Sequence, residues 1–324
     1  MYSLVSAAFP EAASLPKLVV TYSAERACEL VAFDETHYLV YDQYLGQTLS
    51  TLNRIFLNDG SDGFILIYAC KYLAEKFRIA GDVNRACTLA YAYHENKKKG
   101  HLPLTNQTPD CGTFTLIQEA FVLSHELAHY VFNQDQQLRR EVFGYAAQTA
   151  VEVLSFPNLS EKRIRDLIEE IACDKLATVA AVTMAVAHGL GLEVACRAIV
   201  IGLRHLRLLK TLDRYVLAHS TSDGKKAMSS PVEFMPEPMA RVSANRRDLE
   251  KHVNAVDPKL WTDIVNSVMD ESESYSELVD ELVQLDLGHR LIKLFSEYKT
   301  PRALGIRDRK KALAAVDELT GWTE

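Results

Sequence analysis

The sequence predicts a mainly α-helical protein of the α+β class, with a small β-sheet or hairpin near its N-terminus and a helical C-terminal region. Three observations predict it. Residues 17 to 23, "KLVVTYS", and 27 to 41, "ACELVAFDETHYLVY", are rich in β-branched and aromatic side chains. From Tyr44 onward the apolar residues recur three and four apart, the spacing of amphipathic helices. The most apolar stretch, 176 to 203, is broken by Gly189 and Gly191 and carries His188, Glu193 and Arg197, so it reads as two buried core helices joined at "HGLG".

Each element follows from local chemistry. Residues 17 to 23 form a strand, and "DET" separates two alternating runs into a hairpin. "YLGQTLSTLNRIFL", "DGFILIYACKYLAEKF" and "DVNRACTLAYAYHEN" are helices, with Asp62 and Asp82 capping the second and third. Residues 100 to 113, "GHLPLTNQTPDCGT", hold the turn formers of a loop, and a strand is expected near 111 to 116. A helix then covers about Phe114 to Asn133. Another starts after "FPNLS", where Ser160 can cap and Glu161 suits the first turn. A further helix covers about 191 to 218. Residues 219 to 239, with three prolines and no period, read as a long loop or lid. The last 85 residues read as helices with acidic faces, and no internal repeat is visible.

The 324 residues carry a net charge of −7 and a pI near 5.8, which gives no basic excess for a general nucleic-acid binder. The six cysteines are scattered and form no C-x-x-C pair, and residues 1 to 16 lack a basic stretch ahead of an apolar one. Reduced thiols, a cytoplasmic location and no membrane partner are therefore expected. A membrane span over 176 to 203 is the rival to the two-helix reading, and its charges would be costly in lipid.

The stretch with the most chemistry is "FVLSHELAHYVFN", residues 121 to 133. On a helix His125 and His129 share one face, one turn apart, and two imidazoles at that spacing can chelate one zinc ion. Glu126 lies about 100° round the helix from His125, beside such a metal, where a general base for water belongs. The neighbours Phe121, Val122, Leu127, Val131 and Phe132 make the helix largely buried, and buried polar groups need partners. The plain alternative is a pair of helix histidines satisfied by nearby carboxylates.

A catalytic zinc site takes a third protein ligand. In "LIEEIACDKLA" Glu170 and Asp174 stand four apart on one face. Glu170 can ligate, and Asp174 can accept the N–H of a ligating histidine and fix its tautomer. Glu169 is the fallback ligand, and a solvated acidic helix face is the alternative to both.

"HELAH" followed by "EIACD" resembles the gluzincin pattern of zinc metallopeptidases, H-E-x-x-H with E-x-x-x-D on a later helix. Within that group the chain most resembles intracellular bacterial enzymes of the Lit-like phage-exclusion and ImmA/IrrE kinds. The resemblance spans about residues 114 to 187. It departs from the pattern at Cys173, where alanine is common. It implies a zincin-like helical core with Zn2+ held by His125, His129 and Glu170, Glu126 as base and Asp174 behind a histidine. It also implies cleavage of one intracellular protein in phage defence or stress regulation. On that basis residues 1 to 110 hold strands and helices, 111 to 220 the catalytic core, and 221 to 324 a substrate loop and helices, all in one compact unit. Oligomeric state is not legible.

Peptide hydrolysis also needs a donor for the oxyanion. Relatives place a histidine or tyrosine downstream, some with P-x-x-R; here His219 opens a loop ending in Pro238-Met239-Ala240-Arg241. His219 is the candidate donor, with Tyr215 and Tyr130 as competitors, and Arg241 can pair with a carboxylate. Cys111 either gates the metal as a thiolate or is simply a small residue entering the strand expected at 111 to 116. The function expected is a zinc metallopeptidase acting on a protein or peptide. The alternative is a metal-stabilised sensor or regulatory module with a gated or silent site.

Overall fold

A computed structural model describes residues 15–23, 25–58, 62–99, 109–153, 160–220, 236–256, 259, 262 and 308–321. It is mainly helical with one small sheet, as the sequence predicts. The strands are β1 (Lys17–Thr21), β2 (Cys28–Phe33) and β3 (Thr36–Asp42), in the order β1-β3-β2. The expected hairpin is β2–β3, antiparallel, with Leu30 opposite Leu39; its turn uses Asp34 in the left-handed conformation (φ 51°), which aspartate tolerates. β1 runs parallel to β3. Among the described residues β2 bonds only to β3, and its outer edge carries no partner strand.

The helices are α1 (Gln43–Asn58), α2 (Asp62–Ile79), α3 (Val83–Lys99), α4 (Pro109–Gln134), α5 (Gln136–Val153), α6 (Glu161–Ala187), α7 (Leu192–Ser220), α8 (Pro236–Val256) and α9 (Arg309–Thr320). Side chains cap several of them. Asp42 accepts from the Tyr44 N–H, Asp82 from Arg85, Asp135 from Gln137 and Leu138, and Ser160 from Arg163. Gly189 (φ 75°) ends α6, with the Leu190 N–H returned to the Ala185 carbonyl at 2.9 Å, a Schellman close that needs the glycine. The cap expected at Asp62 lies outside the described side chains; of the loop or lid expected over 219 to 239, residues 219 and 220 end α7, residues 236 to 239 begin α8, and 221 to 235 lie outside the described residues.

Two expectations fail. Residues 109 to 116 are the first turns of α4, not a loop leading into a strand. Pro109 suits a first helical position, and the Thr115 hydroxyl donates to the Cys111 carbonyl one turn back at 2.8 Å, so neither residue opposes the helix. Helix α5 was not anticipated at all.

The described residues fall into two compact units. One is drawn from Met1–Asn53, Gln107–His205 and Met235–Asp270, the other from Arg54–Asn106, Leu206–Phe234 and Glu271–Glu324. In the second, α2 packs on α3 and both pack on α9. Arg78 pairs with Asp317, and the Cys87 thiol donates to the Ala312 carbonyl.

The first unit holds the sheet and the crossing of α4 with α6. Its core sets Ala128 and Phe132 of α4 against Ala146 and Ala150 of α5, Leu167, Ile171 and Ala172 of α6, and Ala240 and Ala244 of α8. Six alanines at these contacts let four helix backbones approach closely, so short polar side chains reach across. Farther up α4, Gln118 is fixed by Asn53 and by the Ala198 carbonyl, which locks the rotation of the helix about its axis.

Candidate metal centre

His125 and His129 project from α4 one turn apart, with ring centroids 5.1 Å apart and planes near perpendicular. Glu170 comes to them from α6. Its Oε2 lies 3.6 Å from His125 Nε2 and its Oε1 lies 3.7 Å from His129 Nε2. Two ligands each about 2 Å from a tetrahedral zinc stand roughly 3.3 Å apart. The Glu170 carboxylate is thus within a few tenths of an ångström of ligand spacing to each imidazole, through a different oxygen for each, and imidazole, imidazole and carboxylate are donor types zinc takes. Residues of this chain therefore fit the ion.

Glu126 is close as well: donor atoms of His125, Glu126 and His129 all fall within 4.8 Å of one another. The two glutamates are told apart by their surroundings. Burial pushes the Glu126 carboxyl above the usual range, more than the two imidazoles pull it down. Burial also acts on Glu170, but the His125 contact and the Arg241 guanidinium overrule it and hold that carboxyl well below the usual range. A carboxylate kept anionic suits a ligand, and one with raised proton affinity suits a proton carrier.

Outside these groups sits a layer of partners. Asp174, almost fully buried, places Oδ1 2.8 Å from His125 Nδ1, an ion-pair contact whose angle falls short of a hydrogen bond. Arg241 of α8 grips Asp174 with two bonds, Nε to Oδ2 at 2.8 Å and Nη2 to Oδ1 at 2.7 Å, and sets Nη1 2.6 Å from Glu170 Oε2. Burial disfavours a charged Asp174, yet the arginine keeps it ionised, its pKa lowered. Burial likewise disfavours a charged His125, but Asp174 and Glu170 prevail and raise it to about 9 in the metal-free chain.

The sequence residues His125, Glu126, His129, Glu170 and Asp174 are brought together. Arg241 meets the expectation of a carboxylate partner. Glu169, the fallback ligand, faces the other nitrogen of His129: its Oε1 is 3.3 Å from Nδ1, on the ring edge away from Glu170. Cys173 Sγ is 3.4 Å from the same nitrogen, and its thiol stays protonated because burial and then Asp174 push its pKa up. Arg139 of α5 stands 3.7 Å from Glu169 Oε2. Sequence spacing could not find Arg139, because it lies on a helix that spacing did not reveal.

The oxyanion candidates fare differently. His219 is in the last turn of α7 rather than at the start of a loop, and its side chain lies outside the described residues. Tyr215 is buried in the second unit with its ring edge-on to Phe77. Tyr130 is buried against His37 of β3, with ring centroids 5.0 Å apart. Cys111 shares the continuous helix α4 with His125, fourteen residues earlier, which is about 21 Å along the axis. It cannot gate the metal, and it enters no strand.

The strand β2, unpaired on its outer edge among the described residues, packs on α4. The Glu126 charge helps to raise the Cys28 thiol pKa, after burial, so the start of β2 is near Glu126. No helix among the described residues is long and apolar enough to cross a membrane. Comparison with protein-family models, curated proteins and solved structures gives no significant match.

Proposed function

We propose that this chain is a zinc-dependent metallopeptidase that hydrolyses peptide bonds in an intracellular protein. The observation that carries the reading is the convergence of His125 Nε2, His129 Nε2 and both Glu170 oxygens at 3.6 and 3.7 Å, with Glu126 beside them. A satisfied pair of helix histidines would need only one carboxylate each; here each ring has a carboxylate on both of its nitrogens.

His125, His129 and Glu170 would hold the zinc ion, which supplies Lewis acidity that acidifies water and polarises a carbonyl. Glu126 takes the proton from the attacking water on its carboxylate and returns it to the nitrogen of the departing amine. Its raised proton affinity suits both halves of that task. The outer edge of β2, unpaired among the described residues, supports a peptide substrate, since an extended backbone can add to an unpaired strand edge. Residues 111 to 116, expected as a strand, are helical and offer no such edge. A place in phage defence or stress regulation rests on the "HELAH" and "EIACD" resemblance alone.

Glu126→Gln tests the reading. It keeps the size of the side chain and removes its proton-accepting charge. Zinc content should match wild type, while new protein N-termini in cells expressing the chain should fall about 10²–10⁴-fold in rate of appearance. An unchanged set of cleavage products would exclude Glu126 as base. If wild type holds zinc, yields no new N-termini, and shares its cellular effect with the variant, a metal-stabilised regulatory module is the better description.

A further inference from the structure

We propose that Glu169, held by Arg139, is the positioning residue of the second zinc-binding histidine, His129. The inference rests on the metal-centre reading above. It concerns a residue for which sequence spacing left open a role as ligand or as plain surface charge.

A histidine that binds a metal through Nε2 must carry its proton on Nδ1, and an acceptor at Nδ1 fixes both that tautomer and the ring plane. His125 has a carboxylate at that nitrogen, Asp174 Oδ1 at 2.8 Å, close enough to accept once the ring turns into line. His129 needs its own, because its ring is turned about 81° from that of His125 and Asp174 serves the other ring. Among the described residues two groups reach His129 Nδ1: Glu169 Oε1 at 3.3 Å and Cys173 Sγ at 3.4 Å. A carboxylate oxygen is a strong acceptor and a protonated thiol is a weak one, so the carboxylate governs the tautomer.

Glu169 cannot at the same time be the metal ligand. It addresses Nδ1, whereas Glu170 addresses Nε2 of the same ring. The adjacent glutamates on α6 therefore divide the two edges of one imidazole between them. Arg139 stands 3.7 Å from the far oxygen of Glu169, a looser ion pair from α5 than the two-bond grip of Arg241 on Asp174 from α8. Each histidine is thus backed by a carboxylate and then a guanidinium, and the two arginines come from two different helices.

The test measures zinc affinity by competition with a chromophoric chelator for wild type, Glu169→Ala, Glu169→Gln and Cys173→Ala. Loss of an outer partner typically weakens metal binding about 10- to 100-fold. Because Glu169 is 38% exposed, the low end is expected: about tenfold weaker for Glu169→Ala, less for Glu169→Gln, whose amide oxygen still accepts, and no change for Cys173→Ala. Nitrogen NMR of the zinc-loaded protein supplies a readout that a merely structural role would not move. Wild-type His129 should show a single Nδ1-protonated form, and Glu169→Ala a second environment at that nitrogen. Should Glu169→Ala fail to fold, the Gln variant decides. Wild-type affinity in both Glu169 variants overturns the inference, as does a loss confined to Cys173→Ala. A wild-type chain that takes up no zinc overturns the metal centre itself and the inference with it.

Discussion

The two sides of the candidate metal centre are built from the same parts in different surroundings. On the α8 side, His125, Asp174 and Arg241 form a chain of contacts at 2.7 to 2.8 Å, with side-chain exposures of 9%, 3% and 15%. On the α5 side, His129, Glu169 and Arg139 are spaced at 3.3 and 3.7 Å, with exposures of 22%, 38% and 34%. The electrostatic consequence is large. At about 4 Å, opposite unit charges attract by roughly 1 kcal/mol in water and roughly 4 kcal/mol at the effective dielectric of a protein site. The α8 side is thus a fixed scaffold on which the fold depends, and the α5 side is an adjustable support on which the fold depends little.

The strongest way to break this contrast is at Asp174. Asp174→Asn takes the charged partner of its two bonds from the Arg241 guanidinium, which still meets Glu170. Removing one member of a buried pair costs about 3–5 kcal/mol, and the remaining Glu170 contact places this case near 3 kcal/mol. Urea unfolding of the metal-free protein should show it, and zinc affinity should fall toward the hundredfold end of the range for an outer partner. A variant as stable as wild type would mean that the α8 side is no scaffold. The weakest expected effect is at Arg139. Arg139→Ala should change unfolding free energy by less than about 1 kcal/mol, because the pair is half-exposed, and 0.5 M salt should erase what difference there is. A loss as large as at Asp174, or one indifferent to salt, would make the two sides equivalent.

This contrast also explains what the sequence could and could not disclose. Helical spacing relates residues within one helix, so His125 with His129, and Glu170 with Asp174, were legible. The hairpin at 28 to 42 and the caps at Asp82 and Ser160 were legible for the same reason: their chemistry is local. Glu169 was ambiguous because its role depends on which edge of His129 it meets, and that is set by how α6 crosses α4. Helix α5 escaped notice because much of its buried face is alanine, as at Ala146 and Ala150, which contrasts weakly with its polar side. Without α5 there was no Arg139. Residues 111 to 116, "CGTFTL", carry β-forming side chains, yet Cys111 and Phe114 are buried on a helix, where packing outweighs propensity.

The division of the chain was legible only in part. Each compact unit takes three separate stretches; the boundaries at 106/107 and 234/235 fall in the proline-bearing stretches that composition marks, but those at 53/54 and 205/206 fall inside α1 and α7. Composition marks linkers, so a boundary within a continuous helix leaves no compositional trace.

The central claim is that two imidazoles on α4 and one carboxylate on α6 share a single divalent ion. It is tested most directly by the metal content of the purified chain, wild type beside His129→Ala, after dialysis against limiting zinc. The account predicts close to one zinc per wild-type chain and almost none in the variant. Equal content in the two proteins, whether one zinc each or none, would contradict it.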